Sequence, residues 1–352
     1  MTDILPFLKS LISLPGISGY ETPIREQIQA AWQPLVDEVS ISRLGSLHAL
    51  KRGSGPEPRR SLLIATHMDA IGLMVTGISD GFLHLTEIGG LDPRVLPGQI
   101  VTVHGRRDLP GLVIQPPAHL LPPDNRSGAV QLENLLVDTG LEPGEVARLV
   151  RVGDLVSFAQ PPLEMGADIM AGHSLDNRAS VAALTACLEE LQGRRVQWDI
   201  WAVATAQEEV TFGGAYTSAF QIRPDVAVVM DVTWASNPGS PNHKTHPMGK
   251  GPTLGYGPNI HPALHKAFKD LAERLEIPHR VEVMALHSGS DAIATQVTAE
   301  GIPSMVLYIP LRYMHTPVEV ISLKDIHRAG RLVAEFAASL DEHFLDQLTW
   351  KD

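Results

Sequence analysis

Seven residues scattered along this chain have the types that hold divalent metal ions: His67, Asp69, Asp176, Glu208, Glu209, Asp231 and His315. Two such ions held side by side need about this inventory. Each takes a histidine and a terminal carboxylate, both share one bridging carboxylate, and a further carboxylate stays free as a base for hydrolysis. His67 and Asp69 are spaced i, i+2, so on a strand they face the same side. Asp69 could then accept the free ring N–H of His67 and fix its tautomer. Asp176 opens a helix in GHSLDNRAS. A carboxylate there either caps the helix or, pre-positioned by a strand–helix corner, bridges two ions. Glu208 and Glu209 follow WAVATAQ. Adjacent side chains diverge on a strand, so one can bind metal while the other faces a cavity. Asp231 ends the run VAVVM, and His315 lies just beyond Ser304–Ile309. Each alone has an ordinary reading as a turn, cap or loop residue. Their conjunction on four strand ends points to one metal-binding edge.

That edge requires a sheet. Ser61–Thr66, Gln197–Ala204, Val226–Met230 and Ser304–Ile309 are apolar runs of the kind found in strands covered on both faces. Helical spacing marks Glu21–Leu35, Asp176–Gln192, Ala215–Phe220, Pro262–Leu275 and Lys324–Leu340. From residue 72 to about residue 162 the texture changes to short alternating segments punctuated by Gly, Pro and Asp, with a helix expected near Arg126–Asp138. That pattern predicts a small antiparallel β-barrel or sandwich. The expected fold class is therefore α/β. A catalytic domain over residues 1–71 and 163–352 is interrupted by an inserted β domain over 72–162.

Composition narrows the function. The 352 residues are 44% hydrophobic and 19% charged, which describes a soluble globular chain. A net charge of −12 argues against nucleic acid as partner and mildly favours cationic peptides. No run approaches the roughly 18 apolar residues of a membrane helix, and the N-terminus lacks the basic and small-residue features of a secretory signal. The single cysteine, Cys187, sits in an apolar helical stretch and reads as a core filler. Together these suggest a cytoplasmic protein without membrane attachment.

The segments PGISGYE, ATHMDAIGLMV, GHSLDNR, AQEEVTFGGA, VMDVTWA, SGSDA and GIPSMVLYIPLRYMHTPVE run in order through nearly the whole chain. In these the chain resembles the tetrahedral, TET-type dinuclear aminopeptidases, a family that includes glutamyl, leucyl and lysyl aminopeptidases and members labelled endoglucanase. The resemblance implies an αβα sandwich with an inserted PDZ-like domain that drives assembly into a hollow homododecamer. It implies two divalent metal ions per subunit, and nitrogen and oxygen ligands suit zinc or cobalt. It pairs His67 with Glu209 at one ion and Asp231 with His315 at the other, bridges them by Asp176, makes Glu208 the general base and has Asp69 orient His67. The substrates it implies are peptides with a free N-terminus. Ser290 and Asp291 are expected to line the cleft without an assigned step. Three positions depart from the family, which usually has acids where Ala70 and Asn177 stand and a glycine at Thr211. None removes a ligand.

Two other classes fit the same residues. A related two-metal carboxypeptidase, dipeptidase or deacylase would use the same ligands, and a catalytically silent scaffold would keep the fold alone. A glycosidase needs carboxyls about 5–9.5 Å apart, but it leaves the histidines and Asp176 unexplained. His173, His243, His246, His261 and His287 lack a partner acid at strand-end spacing, so they read as surface or loop residues.

Overall fold

A computed structural model describes residues 3–121, 130–241 and 243–350. Its main element is an 11-stranded mixed sheet. At the centre, Ser61–His67 lies between Asp199–Thr205 and Val226–Trp234, and Val226–Trp234 pairs in turn with Ser304–Arg312. These four strands are parallel, so their carboxyl ends share one edge. Antiparallel strands extend the sheet on both sides, with Glu38–Ile41 and Leu47–Lys51 beyond one flank. Glu319–Ser322, Ile169–Gly172 and Leu163–Met165 lie beyond the other.

The central strands are apolar because helices cover both faces. Ile64, Val203 and Val228 are fully buried, each contributing about 1.5–3 kcal/mol relative to exposure. The helix Leu175–Glu190 is buried almost all round, which explains why its sequence shows little amphipathic contrast. It packs against the C-terminal helix Leu323–Ser339. Gly330 permits that approach, since a Cβ there would lie 2.4 Å from the carbonyl oxygen of Ala183.

Between two parts of this sheet the chain builds a closed six-stranded antiparallel barrel. The order is Gly72–Ser79, Phe82–Ile88, Leu136–Asp138, Asp108–Ile114, Ile100–His104 and Leu155–Phe158, which returns to the first. The barrel has its own core, around Leu73, Val101, Val137 and Val156. Closure leaves no free strand edge within it.

Some expectations need correction. Of the helix expected near Arg126–Asp138, residues 126–129 lie outside the described residues. Leu132–Asn134 is one 3-10 turn, and Leu136–Asp138 is a barrel strand. Pairing with two neighbouring strands outweighs local helical preference there. The helices Leu5–Ile12 and Pro143–Leu149 and the strand Leu47–Lys51 were not anticipated. Cys187 is buried as expected. Among the described residues no helix is long and apolar enough to cross a membrane.

Candidate metal centre

The parallel register puts the expected residues on one edge. His67 ends its strand opposite Thr205. From Thr205 the chain turns through Gln207, whose φ of 60° is left-handed, into the short helix Glu208–Thr211. The two glutamates therefore diverge from a helix start rather than from a strand. Asp231 lies inside the strand Val226–Trp234 instead of ending it. His315 follows Ser304–Arg312 and also has a left-handed φ, of 61°. Ser174, beside Asp176, is left-handed too, with φ 62°. Non-glycine residues in this region are strained, and such strain gathers at functional sites.

Asp176 presents one oxygen to each histidine. Its Oδ1 lies 3.2 Å from His67 Nε2, and its Oδ2 lies 3.4 Å from His315 Nε2. The peptide between Asp176 and Asn177 is cis. Asn177 donates to the carbonyl of Met230 at 2.9 Å and to Thr66 Oγ1 at 3.1 Å. An ionised aspartate could accept from the Thr66 hydroxyl but could not donate to the Met230 carbonyl, which gives the departure at this position a local reason.

His67 Nε2 is 3.7 Å from Asp231 Oδ1, and His315 Nε2 is 3.5 Å from Glu209 Oε2. Glu208 Oε2 stands 3.8 Å from His67 Nε2. Two sets of three donors, His67–Asp176–Glu209 and His67–Glu208–Asp231, each fall within 4.8 Å of one another.

Asp69 does more than the spacing predicted. Its carboxylate is 3.5 Å from His67 Nδ1, but its backbone carbonyl is nearer, at 3.2 Å. The carboxylate oxygens accept the backbone N–H groups of Glu208 at 3.0 Å and Glu209 at 3.2 Å. One buried acid thus ties the His67 strand end to the helix start that carries both glutamates.

Burial and crowding shift the charges. Burial opposes the imidazolium of His67, yet Glu208, Asp176, Asp231 and Asp69 hold its pKa well above the usual value. His315 is likewise raised to about 9, burial opposing and Asp176 and Glu209 favouring the charged form. Burial raises Asp176, but the two histidines outweigh it and hold its carboxyl below the usual range. Burial, then the Asp176 charge, pushes Glu209 up to about 8. Glu208 and Asp231 are also raised, first by burial. So many acids in so small a buried volume resist ionising together, and bound cations would relieve that. An oxygen-rich set with two imidazoles fits hard or borderline divalent ions.

One buried acid beside these residues escaped the sequence reading. Glu319 is buried and accepts the backbone N–H of Asp176 and that of His315, both at 3.0 Å. Burial and the Asp176 charge raise its pKa well above the usual range. Its signal was present, four residues after His315 in HTPVE, but nothing in that spacing reveals a double backbone contact. Asp291, which the resemblance placed along the cleft, is buried, accepts the hydroxyl of Thr205 and is raised to about 7, chiefly by burial. His173 and His261 are buried rather than at the surface, and His261 caps the helix Pro262–Arg274.

An α/β sandwich with a barrel set into it, and a buried nest of acids and imidazoles at the carboxyl edge, has the donor set of a metal-dependent hydrolase. Residues 45–332 match the M42 glutamyl aminopeptidase family, and the chain belongs to that family. It is 35% identical to the lysyl aminopeptidase of Pyrococcus furiosus over 333 residues, covering 92% of this chain and 94% of that protein. Among solved structures, it is similar to the TET aminopeptidase of a marine sediment Thaumarchaeota archaeon, with a TM-score of 0.93 and 31% identity over 98% of this chain and 99% of that one. It is also similar to the TET1 peptidase of Pyrococcus horikoshii, which can assemble into a tetrahedron or a large octahedral shell. There the TM-score is 0.83 and the identity 27%, over 96% of this chain and 100% of that one.

Proposed function

We propose that this protein removes N-terminal residues from peptides with a free N-terminus, using two divalent ions, zinc or cobalt, per subunit. The observation that carries the reading is Asp176, with one oxygen toward each of two histidines. In this reading His67 and Asp231 would hold one ion and Glu209 and His315 the other, with Asp176 shared between them. That regroups the pairing implied by resemblance, on the distances above. Bound ions of this kind polarise a carbonyl and acidify water.

The chain's own residues supply the rest. Glu208, left without a ligand role, takes the proton of the attacking water and returns it to the leaving amine. Burial, opposed by the His67 charge, raises its carboxyl well above the usual carboxylate range. Asp69 positions both glutamates through their backbone N–H groups and steadies His67.

We further propose that residues 72–162 form a PDZ-like assembly domain, and that residues 1–71 and 163–352 form the catalytic domain. The chain would then work as a homododecamer in the cytoplasm, without nucleic acid or membrane. The assembly of the Pyrococcus horikoshii relative supports the oligomer, and the lone buried thiol suits a reducing compartment.

Glu208→Gln tests the base. The variant should keep both metals, by elemental analysis, and lose roughly 10²–10⁴-fold in kcat on an aminoacyl amide. Near wild-type turnover with full metal content would remove Glu208 from this role. Acetylating the substrate's N-terminus should stop hydrolysis; continued cleavage would favour a carboxypeptidase or deacylase.

A further inference from the structure

A cavity of about 530 Å³ lies where the barrel meets the sandwich, walled in part by Gly16, Ala70, Phe158, His173 and Arg178. Arg178 is fully buried. One terminal nitrogen of its guanidinium, Nη1, donates to the carbonyls of Leu11 at 2.6 Å and Leu14 at 2.5 Å. The other two nitrogens, Nε and Nη2, have no hydrogen-bond partner among the described residues. Those two share one side of the planar group, the side that takes a carboxylate through two parallel hydrogen bonds.

A guanidinium keeps its charge across the physiological range, and a buried charge without a counter-ion is costly. Among the described residues Arg178 has no ion pair, and Asp69 and Glu319 act on it only through space. Nearby, His173 Nδ1 is also buried and unpartnered. Its ring stands edge-on to Phe158 at 4.9 Å, and burial and then the Arg178 charge push its pKa down to about 3. A neutral imidazole can present Nδ1–H as a further donor. Space at the guanidinium is tight, since a Cβ on Gly16 would lie 2.6 Å from Nη2. Asp108 also lines the cavity, which disfavours a doubly charged guest.

We propose that this cavity binds a small monocarboxylate, held across Nε and Nη2 of Arg178 with His173 Nδ1–H as third donor. Water can meet the hydrogen bonds but leaves the charge uncompensated. The site adjoins the metal centre, with Ala70 next to Asp69 and Arg178 two residues after Asp176, but it does not depend on the aminopeptidase reading. Ala70 is the wall residue through which it can be closed, because a longer acidic side chain there would bring its own carboxylate.

Formate is the probe, titrated against the metal-loaded enzyme at constant ionic strength with chloride as the balancing anion. Thermal unfolding should shift upward saturably for the wild type. In Ala70→Glu the apparent affinity should fall about tenfold or more, with a higher starting Tm. Formate on the metals would act on both proteins alike, so an equal response sinks the proposal. Should the variant not fold, a crystal of the wild type in formate decides. A two-oxygen anion across Nε and Nη2 supports the site, and water alone at that edge overturns it.

Discussion

Asp176 and Glu319 show how a site is fixed one residue at a time. Asp176 addresses two histidines, and Glu319 holds the backbone of Asp176 and of His315 in place. Glu319→Gln keeps the size but replaces one accepting oxygen by a donor, so one of the two backbone N–H groups loses its partner. Metal affinity should drop about 10–100-fold, read by competition with a chromophoric chelator, while kcat at saturating metal changes little. Unchanged affinity would mean that Glu319 only fills space. Five of the seven expected residues were legible because an acid or histidine beside an apolar run is conspicuous. Glu208 and Glu209 were legible as a pair, but their helix-start geometry was not. The double contact of Glu319 was not legible at all, since it joins strands that only the folded sheet brings together.

At the scale of elements, the strand Leu47–Lys51 carries a hidden titration. His48 is buried, and its Nε2 lies 2.8 Å from Ser218 Oγ on the helix Gly213–Ile222. Burial pushes its pKa down to about 4 from an ordinary 6.5. As pH falls, the unfolded chain takes up this proton near 6.5, while the folded chain resists until about 4. The contribution of His48 to stability is therefore complete above pH 6.5 and is lost between about 6.5 and 4, costing at most about 3 kcal/mol. His48→Gln should flatten that part of the curve of denaturation midpoint against pH. An unaltered slope would assign the acid sensitivity elsewhere. The central strands announced themselves by continuous apolar runs, because both faces are covered. Leu163–Met165 did not, because all three residues of that strand are exposed and only its backbone belongs to the sheet.

For the whole molecule, the barrel is the part whose purpose the single chain does not explain. It has a separate core and bears none of the seven metal-type residues. Light scattering on the purified protein should give about twelve chain masses if the proposed shell forms. Deleting residues 72–162 with a short Gly/Ser bridge should yield smaller species. A wild-type protein that stays monomeric at micromolar concentration would contradict the assembly. The split architecture was visible as a change in sequence texture, whereas a closed six-stranded ring was not, because closure depends on pairing between segments distant in sequence.

Neighbouring central strands come from distant parts of the chain: Ser61–His67 waits for Asp199–Thr205 and Val226–Trp234, and His315 follows later still. During synthesis the barrel can fold as soon as it emerges, but the acidic nest cannot close until His315 has been made. A growing chain, with its own free N-terminus and those of its neighbours close by on the polysome, therefore carries no assembled centre that could attack them.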